Sequence, residues 1–315
     1  MTAKTTLPTR HDAGHEGAMP PRPVFMTGAS GFVGSHVLAA IKGHPVHALV
    51  RSVKTRLPGG VEPVPGDVTE LESLTGVVPA GAVVLHLVGI IVESEGQTFD
   101  TVIRRGTENL LASAIASGAS HFVFISAIGA RDDTTLPYLH AKYHAEEAVR
   151  ASGMPYTIIR PSIVFGEGDG FVNTLAGLVR SFPVIPVAGD GESRFQPVAI
   201  GDLAAACAAI IDDPPMFANR TLEFGGSDTF SYNDIIGLIR QELDSRKPVV
   251  HLPVGLVRTV VKLSAPLPPL LRPPVTNDQL NMLRIDNTTS TGDLESVLGR
   301  RPLSLQGNLG YLRHS

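Results

Sequence analysis

Val24-Phe-Met-Thr-Gly-Ala-Ser-Gly-Phe-Val-Gly-Ser-His-Val37 contains a short apolar run, a glycine-rich turn and the start of an apolar helical pattern, in that order. The glycines at Gly28, Gly31 and Gly34 let the backbone turn tightly and come close to a ligand. A helix that begins directly after such a turn presents its first N–H groups to phosphate oxygens. The stretch therefore predicts a dinucleotide pyrophosphate site at the start of an α/β fold. The residues expected to contact the cofactor here are Thr27, Gly28, Ser30, Gly31, Phe32, Val33 and Gly34.

The residue after the second predicted strand indicates which dinucleotide is bound. The second apolar run ends at Arg51 and Ser52 rather than at Asp or Glu, and Arg51 lies 23 residues after Gly28. A carboxylate at this position accepts hydrogen bonds from the ribose 2′-OH of NAD, whereas an arginine pairs with the 2′-phosphate of NADP. Lys54 and Arg56 add positive charge nearby. We therefore expect NADP(H) in preference to NAD(H); a solvated basic loop is the alternative.

Two further segments point to the same site. Asp67 and Val68 follow a short strand-like run, where Asp67 would accept a hydrogen bond from the adenine amino group and Val68 would pack on the ring. Asp67 fits equally well as the N-cap of a helix over residues 69–74. The apolar run from 82 to 88 has the length of a buried strand. The residues expected at its cofactor-facing end are Leu87, Val88 and Gly89.

A candidate catalytic set follows the next buried strand. Ser126 stands near the end of that strand, and Tyr138 opens a helical pattern in which Lys142 lies four residues further on. Residues four apart share one helix face. A free phenol has a pKa of about 10, so we expect the Lys142 ammonium to favour the phenolate and make Tyr138 a competent acid and base. Ser126 would orient the substrate oxygen, and Lys142 would also bind the nicotinamide ribose.

His140 and His144 are also four residues apart and suggest a metal pair. They lie about 200° around the helix from Tyr138, because each residue turns an α-helix by roughly 100°. The sequence offers no third ligand, so we expect the pair to face solvent and predict no metal site.

Composition limits the remaining classes of function. The 315 residues carry a net charge of −4, which gives no reason to expect a nucleic-acid partner. The single cysteine, Cys207, lies in an apolar helical run and predicts a small core residue in a reducing, cytoplasmic compartment. Residues 1–22 have no apolar core of a signal peptide and are expected to form a disordered tail. No apolar run reaches the 18 residues of a membrane span.

Taken together, these motifs resemble those of a short-chain dehydrogenase/reductase of the extended or atypical type. The motifs that carry the resemblance are Thr27-Gly-Ala-Ser-Gly-Phe-Val-Gly34, Ser126, Tyr138-x-x-x-Lys142 and Arg160-Pro-Ser-Ile-Val-Phe-Gly166. Three later segments are similar to the nucleotide-binding accessory subunit of respiratory complex I and its free-standing bacterial relatives. These segments are residues 165–173, 191–204 and 273–287.

The resemblance implies an α/β, Rossmann-type doubly wound parallel sheet with NADPH bound in its crevice and a small C-terminal substrate-binding lobe. In the complex I subunit the cofactor is taken to be structural, whereas other relatives are reductases, sugar-nucleotide epimerases or proteins linked to quinone synthesis. Arg51 departs from the acidic residue of the NAD-dependent epimerases. We expect a Rossmann domain over residues 23–160 and a mixed region over 161–315 that completes the sheet and forms the lobe.

The second region supplies candidates for the substrate side. Pro161 and Ser162 follow a strand whose loop should lie beside the nicotinamide. Arg160 would pair with a substrate anion or cap a neighbouring element, and Arg194 and Gln196 are polar positions on a substrate-proximal strand. Residues 252–274 combine an apolar stripe, cations and prolines. We favour a helix packed on its own domain there; the alternative is a surface that docks on a membrane or a respiratory complex.

Three functions fit the sequence. The first is an NADP(H)-dependent oxidoreductase acting on a carbonyl or quinone-related substrate. The second is a non-catalytic NADPH-binding accessory or assembly protein of a respiratory or quinone-related complex, peripheral at the inner face of the membrane. The third is an NAD-dependent sugar-nucleotide epimerase or dehydratase. The loops that would select a substrate vary too freely to identify it from one sequence.

Overall fold

The computed structural model describes residues 21–264, 273 and 275–313. The tail predicted over residues 1–22 and the proline-rich part of 252–274 therefore lie largely outside the described residues. In chain order the strands are β1 (Val24–Thr27), β2 (Val46–Val50), β3 (Val61–Pro65), β4 (Val83–His86), β5 (His121–Ile125), β6 (Tyr156–Pro161), β7 (Val164–Phe165), β8 (Ile185–Ala188), β9 (Arg194–Phe195), β10 (Val198–Ala199), β11 (Arg220–Phe224), β12 (Phe230–Ser231) and β13 (Val249–Leu252).

Most connections between these strands contain helices. In chain order the helices are α1 (Phe32–Ala40), α2 (Gly106–Ala116), α3 (Pro137–Ala151), α4 (Val172–Ser181), α5 (Ile200–Asp212), α6 (Tyr232–Glu242), α7 (Val254–Ser264), α8 (Asn277–Met282) and α9 (Asp293–Leu298). Shorter helical segments are Leu71–Leu74, Asp100–Arg105, Pro214–Phe217 and Gly310–Arg313. The helix expected over residues 69–74 is thus a single 3₁₀ turn that begins two residues later.

The central sheet has seven strands in the order β11-β6-β5-β4-β1-β2-β3. Each neighbouring pair is parallel. The chain builds outward from β1 through β2 and β3, then returns to the other side of β1 and continues through β4, β5, β6 and β11. The order reverses between β1 and β4, which opens a crevice at the carboxyl ends of these strands. The prediction of a Rossmann-type doubly wound parallel sheet is confirmed.

Both faces of the sheet are covered, as fully buried strands require. One hydrophobic cluster joins the sheet to α1, α5 and α9, and a second joins it to α2 and α3. Cys207 lies in the first cluster and is buried, and burial raises the pKa of its thiol to about 12. It is a core residue rather than a reactive thiol.

A third hydrophobic cluster defines the smaller lobe. It contains residues from α4, β8 and α6 together with Leu305, Leu309 and Leu312 near the end of the chain. Helix α6 begins at the predicted cap, where Ser231 and Asp234 form a reciprocal capping box. The region after Pro161 therefore alternates between the sheet, through β11, and this lobe.

Candidate functional site

The glycine turn between β1 and α1 leaves no room for larger residues. Gly28 has a φ of +74°, a backbone conformation that side chains rarely adopt. A Cβ atom at Gly34 would lie 2.1 Å from the carbonyl oxygen of Gly28. The turn is closed by a hydrogen bond from the N–H of Gly31 to that same oxygen, at 3.0 Å. The first turn of α1 thus packs directly on the end of β1.

The N-terminus of α1 is suited to an anion. Its N-cap residue, Gly31, has no side chain to accept hydrogen bonds, and the first helical turn contains no acidic residue. Ser30 and Gly31 are exposed, whereas Phe32 and Val33 are half-buried. Uncapped N–H groups and the positive end of the helix dipole together attract phosphate. Ser30, Gly31, Phe32, Val33 and Gly34 therefore lie together at the start of α1, and their contact with a pyrophosphate stays a prediction.

Thr27 lies beneath this turn rather than on its surface. Its side chain is fully buried, and its Oγ1 atom lies 2.7 Å from Nδ1 of His86 and accepts a hydrogen bond from the N–H of Leu87 at 3.3 Å. Nε2 of His86 lies 3.1 Å from Oγ1 of Thr107. Burial lowers the pKa of His86 to about 3, so the ring is neutral. These contacts fix the ends of β1 and β4 to each other, and sequence reasoning missed His86.

At the adenosine end, the cations behind β2 are free to meet a phosphate. Arg51, Lys54 and Arg56 are exposed, and the structure gives none of them an ion-pair partner among the residues it describes. Ser52 is exposed as well, and its Oγ atom accepts a hydrogen bond from the N–H of Lys54 at 3.2 Å. Exposed cations without a described ion-pair partner are available to an anionic group of a ligand.

Asp67 and Val68 follow β3 at the same edge of the sheet. Oδ1 of Asp67 accepts hydrogen bonds from the N–H of Thr69 at 2.9 Å and from its hydroxyl at 2.8 Å. This local turn leaves the other carboxylate oxygen available to a ligand. The Val68 side chain is buried in the core, and a Cβ atom placed on Gly106 would lie 3.0 Å from its Cγ2 atom. We therefore expect Val68 to contribute its backbone rather than its side chain to a nucleotide site.

Lys142 lies between the ends of β4 and β5. Its Nζ atom donates a hydrogen bond to the carbonyl oxygen of Ile125 at 2.6 Å and stands 4.8 Å from the centre of the Phe124 ring. A Cβ atom at Gly89 would lie 3.6 Å from this nitrogen, so Lys142 faces the loop after β4. Burial lowers the pKa of Lys142 to about 8, and Glu146 opposes that shift. The loop beside it contains Leu87 and Val88, which are half-buried.

Tyr138 is one helical turn before Lys142, on the same side of α3. Its ring meets the ring of Phe99 edge-on, with 5.7 Å between the centroids. Burial raises the pKa of Tyr138 to about 12. The lowering of this pKa that was expected from Lys142 does not appear: desolvation is the cause of the shift, and the Lys142 ammonium donates to Ile125. At neutral pH the side chain is a phenol that can give a proton.

Ser126 is engaged with a carboxylate that sequence reasoning missed. Its hydroxyl donates a hydrogen bond to Oε1 of Glu146, with 2.5 Å between the oxygen atoms. Glu146 is fully buried and is one turn beyond Lys142 on α3. Arg160 contacts both oxygens of this carboxylate, at 2.8 and 2.7 Å, and Arg150 contacts Oε2 at 2.7 Å. Glu146 lies four residues after Lys142, and this spacing was the available indication that both side chains share one helix face. A glutamate at such a position is also typical of a solvent-exposed helix face.

Several residues that were predicted to lie on the substrate side form hydrogen bonds or ion pairs with other residues of the protein. Arg160 also pairs with Glu223 at 3.3 Å, so its guanidinium lies between two carboxylates. The Ser162 hydroxyl donates to the Oδ1 atom of Asn287 at 2.6 Å, and Oε1 of Gln196 accepts from the N–H of Thr289 at 2.9 Å. These bonds attach residues 287–289 to the residues that follow β6 and β9.

The other residues predicted for this side differ in exposure. Arg194 is exposed, whereas Pro161 is buried at the end of β6. Asn287 connects Arg194 to the Ser162 loop, because its N–H donates to the carbonyl oxygen of Arg194 at 2.7 Å while its side chain accepts from Ser162.

His140 and His144 meet a third side chain. Nδ1 of His140 lies 3.1 Å, and Nε2 of His144 3.3 Å, from Oδ1 of Asp132. The sequence offered no third ligand, because Asp132 precedes the helix by five residues and belongs to a loop whose path local patterns do not specify. The two histidines lie on a different face of α3 from Lys142, because they are two residues from it along the helix.

The chain is similar in sequence to several known proteins. The model of the NAD(P)H-binding family matches residues 28–214. The chain is 28% identical over 247 residues to the mitochondrial NADH dehydrogenase [ubiquinone] 1 alpha subcomplex subunit 9 of Arabidopsis thaliana, covering 75% of this chain and 61% of that subunit. It is 30% identical over 241 residues to a ceramide reductase of Caulobacter vibrioides, covering 73% of each. The chain thus spans less than two thirds of the plant subunit.

Solved structures share the fold. The triphenylmethane reductase of Citrobacter sp., complexed with NADP(H), superposes with a TM-score of 0.71 at 20% identity, covering 93% of this chain and 99% of that one. The UDP-glucose 4-epimerase of Thermotoga maritima superposes with a TM-score of 0.70 at 21% identity, covering 93% and 97%. At such identities the likeness concerns the fold alone.

Proposed function

Because the chain belongs to the NAD(P)H-binding family, we propose that it is an NADPH-dependent reductase of a carbonyl group in an apolar, lipid- or quinone-class molecule. The observation that carries the proposal is the position of Tyr138, a protonated phenol one helical turn from Lys142 at the carboxyl edge of the sheet. Among the described residues, none forms a hydrogen bond with the Tyr138 hydroxyl, which leaves it available to a substrate.

The residues present fit an NADP(H) cofactor. The turn at Gly28 and Gly34 excludes side chains, the N-terminus of α1 is uncapped, and Arg51 stands exposed at the adenosine end. These groups would hold the pyrophosphate and the 2′-phosphate respectively. Asp67 would accept a hydrogen bond from the adenine, and the loop of Leu87, Val88 and Gly89 would border the ribose. When bound, NADPH would supply the hydride.

Side chains of the protein would supply the proton that the reduction needs. Tyr138 would donate its proton to the carbonyl oxygen as negative charge develops there, which suits reduction because the phenol is protonated at neutral pH. Lys142 has three N–H donors, and one of them forms the hydrogen bond to the carbonyl oxygen of Ile125. The remaining donors are available to a ribose hydroxyl and to the phenolate that Tyr138 becomes. Ser126 would need to release Glu146 before it could donate to the substrate oxygen.

The apolar class of substrate is supported by side chains around the crevice. The loop after β4, which borders Lys142 at Gly89, exposes Ile91 and Val92. The relative from Caulobacter vibrioides is named a ceramide reductase.

The decisive experiment is a single-turnover assay. Protein loaded with one equivalent of NADPH would be mixed with a panel of long-chain ketones, ceramide precursors and quinones while nicotinamide absorbance is followed. We expect oxidation by one class of substrate in the wild type and in Tyr143→Phe, the matched control on another face of α3, and none in Tyr138→Phe. Retained oxidation in Tyr138→Phe would contradict the assigned proton donor.

A second candidate function is an NADPH-binding accessory protein of a respiratory or quinone-related complex. It is favoured by the engagement of Ser126 with Glu146 and of Lys142 with Ile125, which leaves two of the three catalytic candidates bonded to the protein. It is also favoured by similarity to the plant complex I subunit. Bound NADPH that survives the whole panel, and a Tyr138→Phe variant indistinguishable in cofactor affinity and thermal stability, would favour this function.

The contact with such a complex or with a membrane would be peripheral. Helix α7 presents Leu256, Val260 and Leu263 to solvent along one face, whereas Val257 and Val261 are half-buried and Ser264 is buried. None of the helices within 21–264, 273 and 275–313 has both the length and the apolar content that crossing a bilayer needs. We place the protein on the cytoplasmic side.

The third possible function, that of an epimerase, predicts that the protein co-purifies with NAD. Extraction and identification of the bound nucleotide would distinguish it from the two NADPH-binding functions.

A further inference from the structure

Three side chains outside the proposed crevice converge on one point. His140 and His144 stand one turn apart on α3, and Asp132 reaches them from the loop between β5 and α3. One ligand-type atom from each residue lies within 4.8 Å of the other two. The rings of the two histidines meet edge-on, with 4.4 Å between their centroids.

The two distances from the carboxylate to the imidazoles fit ligands that share one ion. Ligand atoms about 2.0–2.1 Å from a tetrahedral metal ion stand about 3.3 Å from one another. The distances from Oδ1 of Asp132 to Nδ1 of His140 and to Nε2 of His144 are 3.1 and 3.3 Å. Nδ1 of His140 is buried, yet it makes no properly aligned hydrogen bond despite the short distance. A ring nitrogen aimed beside the oxygen, rather than at it, is expected where both atoms point toward a shared ion.

We propose that Asp132, His140 and His144 bind one divalent transition-metal ion of the zinc class. Two imidazoles and one carboxylate form a donor set that suits Zn²⁺, Ni²⁺ or Cu²⁺, whereas Mg²⁺ and Ca²⁺ prefer oxygen ligands throughout. Three protein ligands leave a fourth tetrahedral position for water. The carboxylate offsets part of the ion's charge.

The site would fix the loop that connects two candidate catalytic residues. Asp132 lies six residues after Ser126 and six before Tyr138, at the middle of this connection. An ion shared with α3 would tie the middle of the loop to the helix that positions Tyr138 and Lys142. The same loop accepts a hydrogen bond from Asn281 of the lobe through the carbonyl oxygen of residue 135. Metal binding would therefore restrict movement of this loop on the side of the crevice that the lobe approaches.

The test is a Zn²⁺ titration of the full chain without an affinity tag, in competition with a chromophoric chelator. His11 and His15 would be replaced by alanine in every sample, so that the N-terminal residues contribute no imidazole. The ligand variants are Asp132→Asn and His144→Ala, both at partly exposed positions. The matched control is His47→Ala, which removes a histidine that lies 3.0 Å from a single carboxylate, Glu62, with no second imidazole. NADPH affinity verifies the fold of each variant.

We expect one equivalent of Zn²⁺ to bind to the wild type and to His47→Ala with equal affinity. Each ligand variant should lose more than the roughly 10–100-fold that removal of an outer-shell partner costs. Co²⁺ in place of Zn²⁺ should give the intense visible absorption of a tetrahedral site, absent in Asp132→Asn. A wild type that competes no better than the two ligand variants would overturn the proposal.

A second measurement examines the loop itself. Arg131 is exposed and directly precedes Asp132, so trypsin can cleave between them. We expect Zn²⁺ to slow cleavage at this bond, followed by mass spectrometry, in the wild type and not in His144→Ala. Cleavage that Zn²⁺ leaves unchanged in the wild type would show that the ion does not tie the loop to α3.

Discussion

The hydroxyl of Ser126 donates a hydrogen bond to the carboxylate of Glu146, and the two oxygen atoms are 2.5 Å apart. This bond joins the end of β5 to the middle of α3 beneath the candidate active site. Glu146 also holds the guanidinium groups of Arg150 and Arg160. A buried carboxylate with three donors is well compensated, and its charge in turn positions the serine.

Replacing Glu146 by glutamine should destabilise the fold. The amide keeps the shape but removes the charge that compensates Arg150 and Arg160. Breaking a buried pair from one side costs about 3–5 kcal/mol, and the partial exposure of both arginines places this variant at the low end of that range. The free energy of unfolding from denaturant titration measures the effect.

The control for this variant is Glu147→Gln, which removes the more exposed partner of Arg150. A surface ion pair contributes at most about 1 kcal/mol, so its loss should be small. Equal losses in the two variants would contradict a special role for the buried carboxylate.

Lys142 should make stability depend on pH in the alkaline range. Burial lowers its pKa in the folded protein from 10.5 to about 8. Below pH 8 the lysine is protonated in both states, so the cost of burying the charge is fully present. Between pH 8 and 10.5 the unfolded chain binds more protons, so the free energy of unfolding rises with pH. Relative to Lys142→Met, the wild type should gain up to about 3 kcal/mol across this window.

The measurement is denaturant unfolding of the wild type and Lys142→Met at pH 7 and pH 10.5. Lys54→Met serves as the control, because Lys54 is exposed in the folded protein and its difference from the wild type should stay constant. A constant difference for Lys142→Met as well would mean that Lys142 is solvated when folded.

The preference for NADPH should depend on Arg51. Its guanidinium is exposed beyond β2 and has no described ion-pair partner, so a 2′-phosphate would be its main contact. A hydrogen bond to a charged group contributes about 1.5–3 kcal/mol, so Arg51→Asp should raise the Kd of NADPH by about 10–100-fold and that of NADH far less. Lys42→Asp makes the same charge change at an exposed position beyond the end of α1 and should leave the ratio unchanged. Equal losses for both nucleotides in Arg51→Asp would refute the cofactor assignment.

The parts of the molecule that local chemistry specifies could be predicted from the sequence. The glycine turn at Gly28, the strand ends near Ser126 and the helix with Tyr138 follow from short patterns, because turn, strand and helix periodicity are local. Contacts between distant segments could not be predicted. The bond from Ser126 to Glu146 depends on how α3 rotates against the sheet, and Asp132 meets the histidines through the path of a loop.

The protonation of Tyr138 shows the same limit. Its spacing from Lys142 suggested a lowered pKa, but the outcome depends on burial and on where the ammonium points. Both are properties of the packed structure.

Gly34 should tolerate no side chain. In Gly34→Ala the new Cβ atom would lie 2.1 Å from the carbonyl oxygen of Gly28, which belongs to the rigid turn. Overpacking against backbone costs about 1–3 kcal/mol and should also displace the pyrophosphate turn, so NADPH affinity should fall together with stability. Gly177→Ala, within α4 and with open space around it, should instead stabilise the protein by about 0.5–1 kcal/mol. Thermal unfolding with and without NADPH compares the two; an unaffected Gly34→Ala would contradict the close packing of α1 on β1.

The exposed face of α7 should bind lipid. Leu256, Val260 and Leu263 follow one another at helical spacing and are all exposed, and Lys262 beside them is exposed as well. An apolar face flanked by a cation favours the surface of an anionic bilayer. Because burying a leucine contributes about 1.5–3 kcal/mol, Leu263→Glu should weaken co-sedimentation with phosphatidylcholine–phosphatidylglycerol vesicles by about tenfold or more. Leu71→Glu, at an exposed leucine on another element, should bind as the wild type does. Equal weakening by both substitutions would rule out α7 as a lipid-binding face. So would a wild-type protein that stays in the supernatant when the vesicles sediment, and either result would favour a protein partner for α7.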